Sequence, residues 1–424
     1  MTTAIPADAG EKLQYAVHRF NDNTIRFVLH YPGLLQANIL QDAVLALVRG
    51  ADVLHSAFRA DHRRAWWQPM PITEKDCFLH IHTPADPIPP VLEQALHPLQ
   101  AADAAKLRCV LAEGQNECAL ALSVSHLCAD GRDSLYLLKK LCQAYQLRLH
   151  QGHFDSLRIK NGSRRAAQVY QGMDSRAKRR ILKDPRTGVK EVFPFPSAEA
   201  GKRMVFSRCI PSREMARCHE KAREMEASIN DLLLTACYYA YVETAEKDPR
   251  SPVSILSMMD LRRHCPGGDS AGLCNLTGSL PTLLQDGLAP TFSQTLGLIA
   301  AQTRRCKADP NAGLYGMPLL HAASRYLPMD LLLKAARCVY SSMGIGMTNV
   351  GSMTGEELAL QGLIPTACWF GGPVKQKPGL QICAVSLDGA CSLSIWCHAA
   401  PEDEPLLNRL LDRMAGHIRA FAGE

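Results

Sequence analysis

Apolar runs separated by turn-forming residues divide this chain into alternating strand-like and helix-like segments. Arg26-Phe27-Val28-Leu29-His30-Tyr31 has strand character and ends at Pro32-Gly33. Beyond it, Ile39, Leu40, Ala43, Val44 and Leu47 recur at helical spacing, with Asn38 in position to cap the helix. Residues 52–59 follow, then a short strand carrying Trp66 and Trp67. Residues 107–111 and 119–124 read as a hairpin around Glu113-Gly114-Gln115-Asn116. The second of these strands runs into Ser125-His126-Leu127-Cys128-Ala129-Asp130-Gly131 and then Ser134-Leu135-Tyr136-Leu137-Leu138. That order is strand, turn, helix.

Residues 161–190 change character. Large apolar side chains thin out, while Arg164, Arg165, Arg176, Lys178, Arg179, Arg180, Lys183, Arg186 and Lys190 accumulate. Pro194 and Pro196 then bar a helix. The stretch reads as the connection between two halves, residues 1–185 and 200–424. Its charges form either a solvated face or a docking patch for phosphates or an acidic carrier protein. In the second half, residues 205–210 form a strand and residues 212–226 a helix. Ser228 or Asn230 caps the next helix, which is apolar nearly all round through Tyr241 and so must be buried. Residues 253–259 form a strand that ends at Asp260-Leu261-Arg262. Strands at 380–386 and 391–397 flank an Asp388-Gly389 turn, and a last helix covers 405–421.

Composition narrows the class. With 424 residues, 47% hydrophobic and 21% charged, the chain has material for two ordinary globular domains. The net charge of +6 is too dispersed for a nucleic-acid reader but suits a partner bearing phosphates. Residues 1–10 lack the basic and apolar regions of a secretory signal. No apolar run reaches the roughly 18 residues that an integral membrane segment needs. Sixteen cysteines without a CxxC pair speak against a zinc or redox motif. They point to a cytoplasmic protein whose thiols serve as small buried hydrophobes.

His126 carries the candidate chemistry. It stands where a strand gives way to a turn, so rigid backbone delivers its ring. A histidine with a pKa near 6.5 is largely neutral at pH 7 and can take a proton from a hydroxyl or an amine. Asp130, four residues on, either orients that ring or holds the turn. A GxSxG match at residues 268–272 lacks the preceding strand and following helix of a nucleophile elbow, which sets a serine hydrolase aside.

His126, Asp130 and Gly131 together resemble the HxxxDG motif of the CoA-dependent acyltransferase superfamily. That superfamily includes chloramphenicol acetyltransferase, alcohol and wax-ester acyltransferases, and the condensation domains of nonribosomal peptide synthetases. Ser125 stands where many members carry a second histidine. Further short stretches resemble the family in the same order: the turn at 54–58, the helix start at Ser228-Ile229-Asn230-Asp231, Asp260-Leu261-Arg262, the turn around Asn275, and Thr348-Asn349-Val350-Gly351. Trp369-Phe370-Gly371-Gly372 lacks the aspartate of the plant-type branch.

The resemblance implies an α/β (α+β) fold of two chloramphenicol-acetyltransferase-like halves. Each half is a mixed sheet with packed helices, and a tunnel between them holds His126 near its middle. It implies His126 and Asp130 as catalytic residues, with Arg262 pairing Asp130 across the halves. Gly131 supports the turn, through its backbone geometry or a close approach that a side chain would block, and Ser125 and Asn275 are candidates for substrate contact, Asn275 alternatively supporting the channel. It implies no metal and no tightly bound cofactor. The donor would be acyl-CoA or another acyl-phosphopantetheine, and the acceptor a small alcohol or amine. Two alternatives stay open: a condensation enzyme fed by an acyl or peptidyl carrier protein, and a catalytically silent docking module.

Overall fold

The computed structural model describes residues 4–182, 191–265, 271–341 and 344–423. In the first half the strands are β1 (Ile5–Pro6), β2 (Thr24–Tyr31), β3 (Ser56–Ala60), β4 (Ala65–Pro69), β5 (Phe78–His82), β6 (Leu107–Glu113) and β7 (Cys118–Ser125). In the second half they are β8 (Lys202–Ile210), β9 (Val253–Asp260), β10 (Thr277–Leu284), β11 (Ile345–Met353), β12 (Ala367–Gly371), β13 (Leu380–Leu387) and β14 (Ala390–Ala399). They assemble into a five-stranded sheet ordered β12-β2-β7-β6-β5, a six-stranded sheet ordered β10-β9-β11-β13-β14-β8, and a small sheet β1-β4-β3.

The five-stranded sheet is covered on both faces, which explains why β7 is buried at every position. Phe27, Leu29, Tyr31, Leu107, Cys109, Leu111, Leu120 and Leu122 join the large core under helices Ala37–Arg49 and Gly131–Gln151. The alternate residues Val28, Val110, Ala112, Ala119 and Ala121 face helix Ile88–Ala95 through Val91 and Ala95. Period-2 alternation is thus hidden in β7, because both of its faces are apolar.

The six-stranded sheet packs on helices Ile229–Thr244 and Glu404–Gly423. Ser228 caps the first of these in a reciprocal box with Asp231, and Asn230 lies inside the first turn. Leu232, Leu233 and Leu234 are each no more than 1% exposed. Burial of that depth is worth about 1.5–3 kcal/mol per leucine, so the helix is held by packing on all sides. At the other hairpin, Asp388 (φ 46°) and Gly389 (φ 81°) both take left-handed backbone, the pairing that a two-residue β13–β14 turn requires.

One reading of the sequence is corrected. Asn38 is not a cap. The helix starts at Ala37, because the extended Gln36 is pinned by its N–H to the Tyr145 hydroxyl (3.1 Å). The two halves share a sheet. β12 belongs by sequence to the second half, yet it pairs antiparallel with β2, from Ala367 opposite His30 to Gly371 opposite Arg26. An open edge of the first sheet is thereby closed by a strand from the other half.

Candidate active site at the junction of the halves

β7 ends at Ser125, still paired with Thr24 of β2. The next N–H, that of His126, donates to Asn23 O at 2.9 Å, and Cys128 N–H closes the turn on Ser125 O at 3.2 Å. The ring is therefore fixed to the last rung of a ladder. His126 Nδ1 lies 2.7 Å from Ala129 O. A carbonyl only accepts, so Nδ1 carries the proton and Nε2 keeps its lone pair. From the other half, Asn275 Nδ2 stands 2.9 Å from the same ring nitrogen, which with Nδ1 protonated is a packing contact between two donors and not a hydrogen bond, while its Oδ1 accepts Thr277 N–H at 3.1 Å. The ring is half-buried. Burial pulls its pKa below the ordinary value, and the Ala129 carbonyl and Asp130 charge restore only part of the loss. Burial thus favours the neutral imidazole, with its lone pair on Nε2.

Asp130 caps helix Gly131–Gln151, its Oδ1 accepting Asp133 N–H at 3.0 Å. Its Oδ2 accepts Leu276 N–H at 2.9 Å and Arg262 Nη1 at 2.7 Å. None of these partners is the imidazole. Of its two readings, the geometry supports the one in which Asp130 holds the turn and acts on His126 through it.

Arg262 lies at the centre of a wider cluster. Nη1 also reaches Asp260 Oδ1 (3.1 Å), and Nη2 reaches Asp133 Oδ2 (2.9 Å) and Cys274 O (3.1 Å). Asp133 further accepts Cys274 N–H at 2.8 Å and pairs with Lys160. Burial alone would lower Arg262, but Asp130, Asp133 and Asp260 outweigh it and hold the guanidinium above its usual range. Burial, helped by the neighbouring Asp130, pushes the Asp133 carboxyl up to about 6, despite Arg262 and Lys160. Sequence reading missed Asp133 and Lys160. An acidic residue in a helix's first turn is common enough to pass as dipole chemistry.

Ser125 is fully buried, and its Oγ accepts Leu127 N–H at 3.4 Å. It braces the turn from inside and offers no accessible surface. Cys128, beside the site, has its thiol pushed up to about 12 by burial. Gly131 departs from expectation. A Cβ there would meet Phe370 Cζ and Val350 Cγ2 at 3.8 Å, ordinary contact, and its backbone is not left-handed. Gly131→Ala is accordingly expected to fold and to be stabilised by about 0.4–1 kcal/mol, because alanine restricts the unfolded chain. A midpoint in urea well below the wild type would contradict that geometry.

In the basic stretch, Arg164 is engaged by Glu11 and lies 5.3 Å over the Trp67 ring. Arg176, Lys178, Arg179 and Arg180 sit on the short helix Ser175–Arg180. Residues 183–190 lie outside the described residues, as do 268–270 of the GxSxG match. A cleft of about 480 Å³ opens between the halves, lined by His18, Asp22, Arg203, Gln376, Lys377 and His398 among others. His126 does not line it, but Asp22 directly precedes Asn23, whose carbonyl holds the His126 N–H. Among the described residues no helix is long and apolar enough to cross a membrane.

This architecture, two mixed-sheet lobes meeting at the His126 turn, is the fold of solved condensation domains. The first condensation domain of the calcium-dependent antibiotic synthetase, solved with a substrate analogue, superposes with a TM-score of 0.70 at 15% identity, over 100% of this chain and 97% of its own. Polyketide synthase associated protein 5 from Mycobacterium tuberculosis gives 0.69 at 15% identity, over 97% and 98%. The epimerization domain from the third module of tyrocidine synthetase B gives 0.66 at 15%, over 100% and 98%. No protein-family model and no curated protein sequence matches the chain.

Proposed function

We propose that this protein is an acyltransferase that moves an acyl group from a phosphopantetheine thioester, acyl-CoA in the first instance, to an alcohol or amine. The observation that carries the reading is the state of His126. Ala129 O accepts from Nδ1, which assigns the lone pair to Nε2, and burial pushes the ring toward its neutral form. Nε2 takes the acceptor's proton as the acceptor oxygen or nitrogen attacks the thioester carbonyl. The tetrahedral intermediate then collapses, the C–S bond breaks, and the proton passes to the departing thiolate. Asp130, Arg262 and Asn275 act as positioning residues that fix the turn and the ring.

Support for a phosphate-bearing donor comes from the cleft between the halves, where Arg19, Arg203 and Lys377 outnumber Asp22. A starter condensation domain of the same fold has been solved with C8-CoA and Leu-SNAC, at 14% identity and a TM-score of 0.67. A second reading, transfer from an acyl group on a carrier protein, is favoured by how many of the neighbours are synthetase domains. The phosphopantetheine arm is common to both donors.

The test is a panel of acyl-CoAs with alcohol and amine acceptors, read as thiol release. Release that depends on acceptor and on His126 is the expected result. Turnover with acylated carrier protein alone would move the assignment to a condensation enzyme. No turnover with either, from a folded protein, would leave a docking module.

A further inference from the structure

At the end of the β6–β7 hairpin far from His126, three metal-ligating side chains converge. β5 is the outer strand of its sheet and runs parallel to β6, with Phe78 opposite Cys109, His80 opposite Leu111 and His82 opposite Glu113. Side chains two residues apart share a face. Phe78, His80 and His82 therefore form one row that leaves the core and ends in solvent, where the His82 side chain is 75% exposed. His80 Nε2 lies 2.7 Å from Glu113 Oε2, and His82 Nδ1 lies 3.4 Å from that same oxygen. The two rings stand 4.2 Å apart, and the three donor atoms lie within 4.8 Å of one another.

We propose that His80, His82 and Glu113 form a surface site for a first-row divalent cation of the zinc and copper type. Two imidazoles and one carboxylate suit those ions better than magnesium or calcium, which prefer all-oxygen shells. Bonds of about 2.0–2.2 Å in tetrahedral geometry set donors roughly 3.3 Å apart. The His82–Glu113 separation already meets this. The His80–Glu113 pair must open by roughly 0.6 Å, a small rotation of two half-buried side chains. The parallel ladder fixes both strand backbones, so a cation finds its three ligands on one side, and a fourth position faces water.

The site is remote from the acyl-transfer chemistry. At about 3.4 Å per residue, the hairpin puts roughly 20–25 Å between Glu113 and His126. Its consequence is structural. A cation bound by β5 and β6 together pins the outermost strand to the sheet, and it binds only when that strand is in place.

The experiment uses the full chain, dialysed against EDTA, then titrated with zinc chloride by calorimetry and followed by thermal unfolding. The expected result is one equivalent bound to the wild type at least tenfold more tightly than to His82→Ala or Glu113→Gln. Zinc should also raise the melting temperature of the wild type, with EDTA reversing the rise. His82 is exposed, so its alanine variant keeps the fold and isolates the ligand. Equal zinc affinity and stoichiometry in the wild type and His82→Ala would overturn the proposal, as would no binding to the wild type at micromolar zinc.

Discussion

Arg262→Ala is expected to destabilise the protein by about 3–5 kcal/mol, read as the midpoint of chemical unfolding. The Arg262 side chain is 2% exposed, and those of Asp130 and Asp133 are 3% and 0% exposed. Truncation leaves two buried carboxylates facing each other without their shared cation. The loss should depend on pH, and its sign follows from Asp133. Burial already raises that carboxyl to about 6, and removing Arg262 removes a pull in the opposite direction. The folded variant then retains a proton that the unfolded chain, with a carboxyl near 3.9, gives up at neutral pH. Its stability therefore rises as pH falls, so the deficit against wild type should be largest near pH 8 and narrow toward pH 5. Equal midpoints at pH 8 would refute the central role of Arg262. Asp130→Ala should also unfold early. If it unfolded with the wild type and lost only rate, Asp130 would instead be a direct catalytic group.

His126→Ala should lower acyl transfer by roughly 10²- to 10⁴-fold while the unfolding midpoint stays close to wild type, the usual contribution of a positioned base. The wild-type rate should carry the signature of the same ring. A base must be neutral, and burial holds this one below its ordinary 6.5. The rate should stay level down to about pH 6.5 and fall only at lower pH, as the ring gains its proton. An acid limb centred above pH 7 would contradict a desolvated imidazole. Retention of full rate in His126→Ala would remove the ring from the chemistry.

How much of this the sequence could say varied with the range of the interaction. The strand–turn–helix around His126 was legible because each part is local: an apolar run, a turn ending in Gly131, and a helix with Asp130 at its start. Arg262 was reachable only through resemblance, since nothing in the spacing ties residue 262 to residue 130. Asp133 and Lys160 were illegible for the same reason. One reads as a first-turn acid and the other as a lysine just ahead of the basic run, and only the folded chain joins them to each other and to Arg262. Gly131 shows the reverse error. Glycine suggested a forbidden Cβ, whereas the surrounding space accepts one. β12 pairs with Val28 and Phe27, hundreds of residues upstream, so nothing local around Trp369 announces its partner.

That crossing strand bears on how the protein comes off the ribosome. β2 and β7 can pair once Ser125 has emerged, but β2 has no outer neighbour until Gly371 follows. At about 5–20 residues per second, that interval is on the order of ten to fifty seconds. Throughout it, nascent chains present an unpaired apolar strand, a template for joining a neighbouring chain on the same message. Slow codons or a stalled ribosome between these two points would lengthen the exposure. Yield in a cell should then respond to chaperones that shield strand edges more strongly than the stability of the finished fold would suggest.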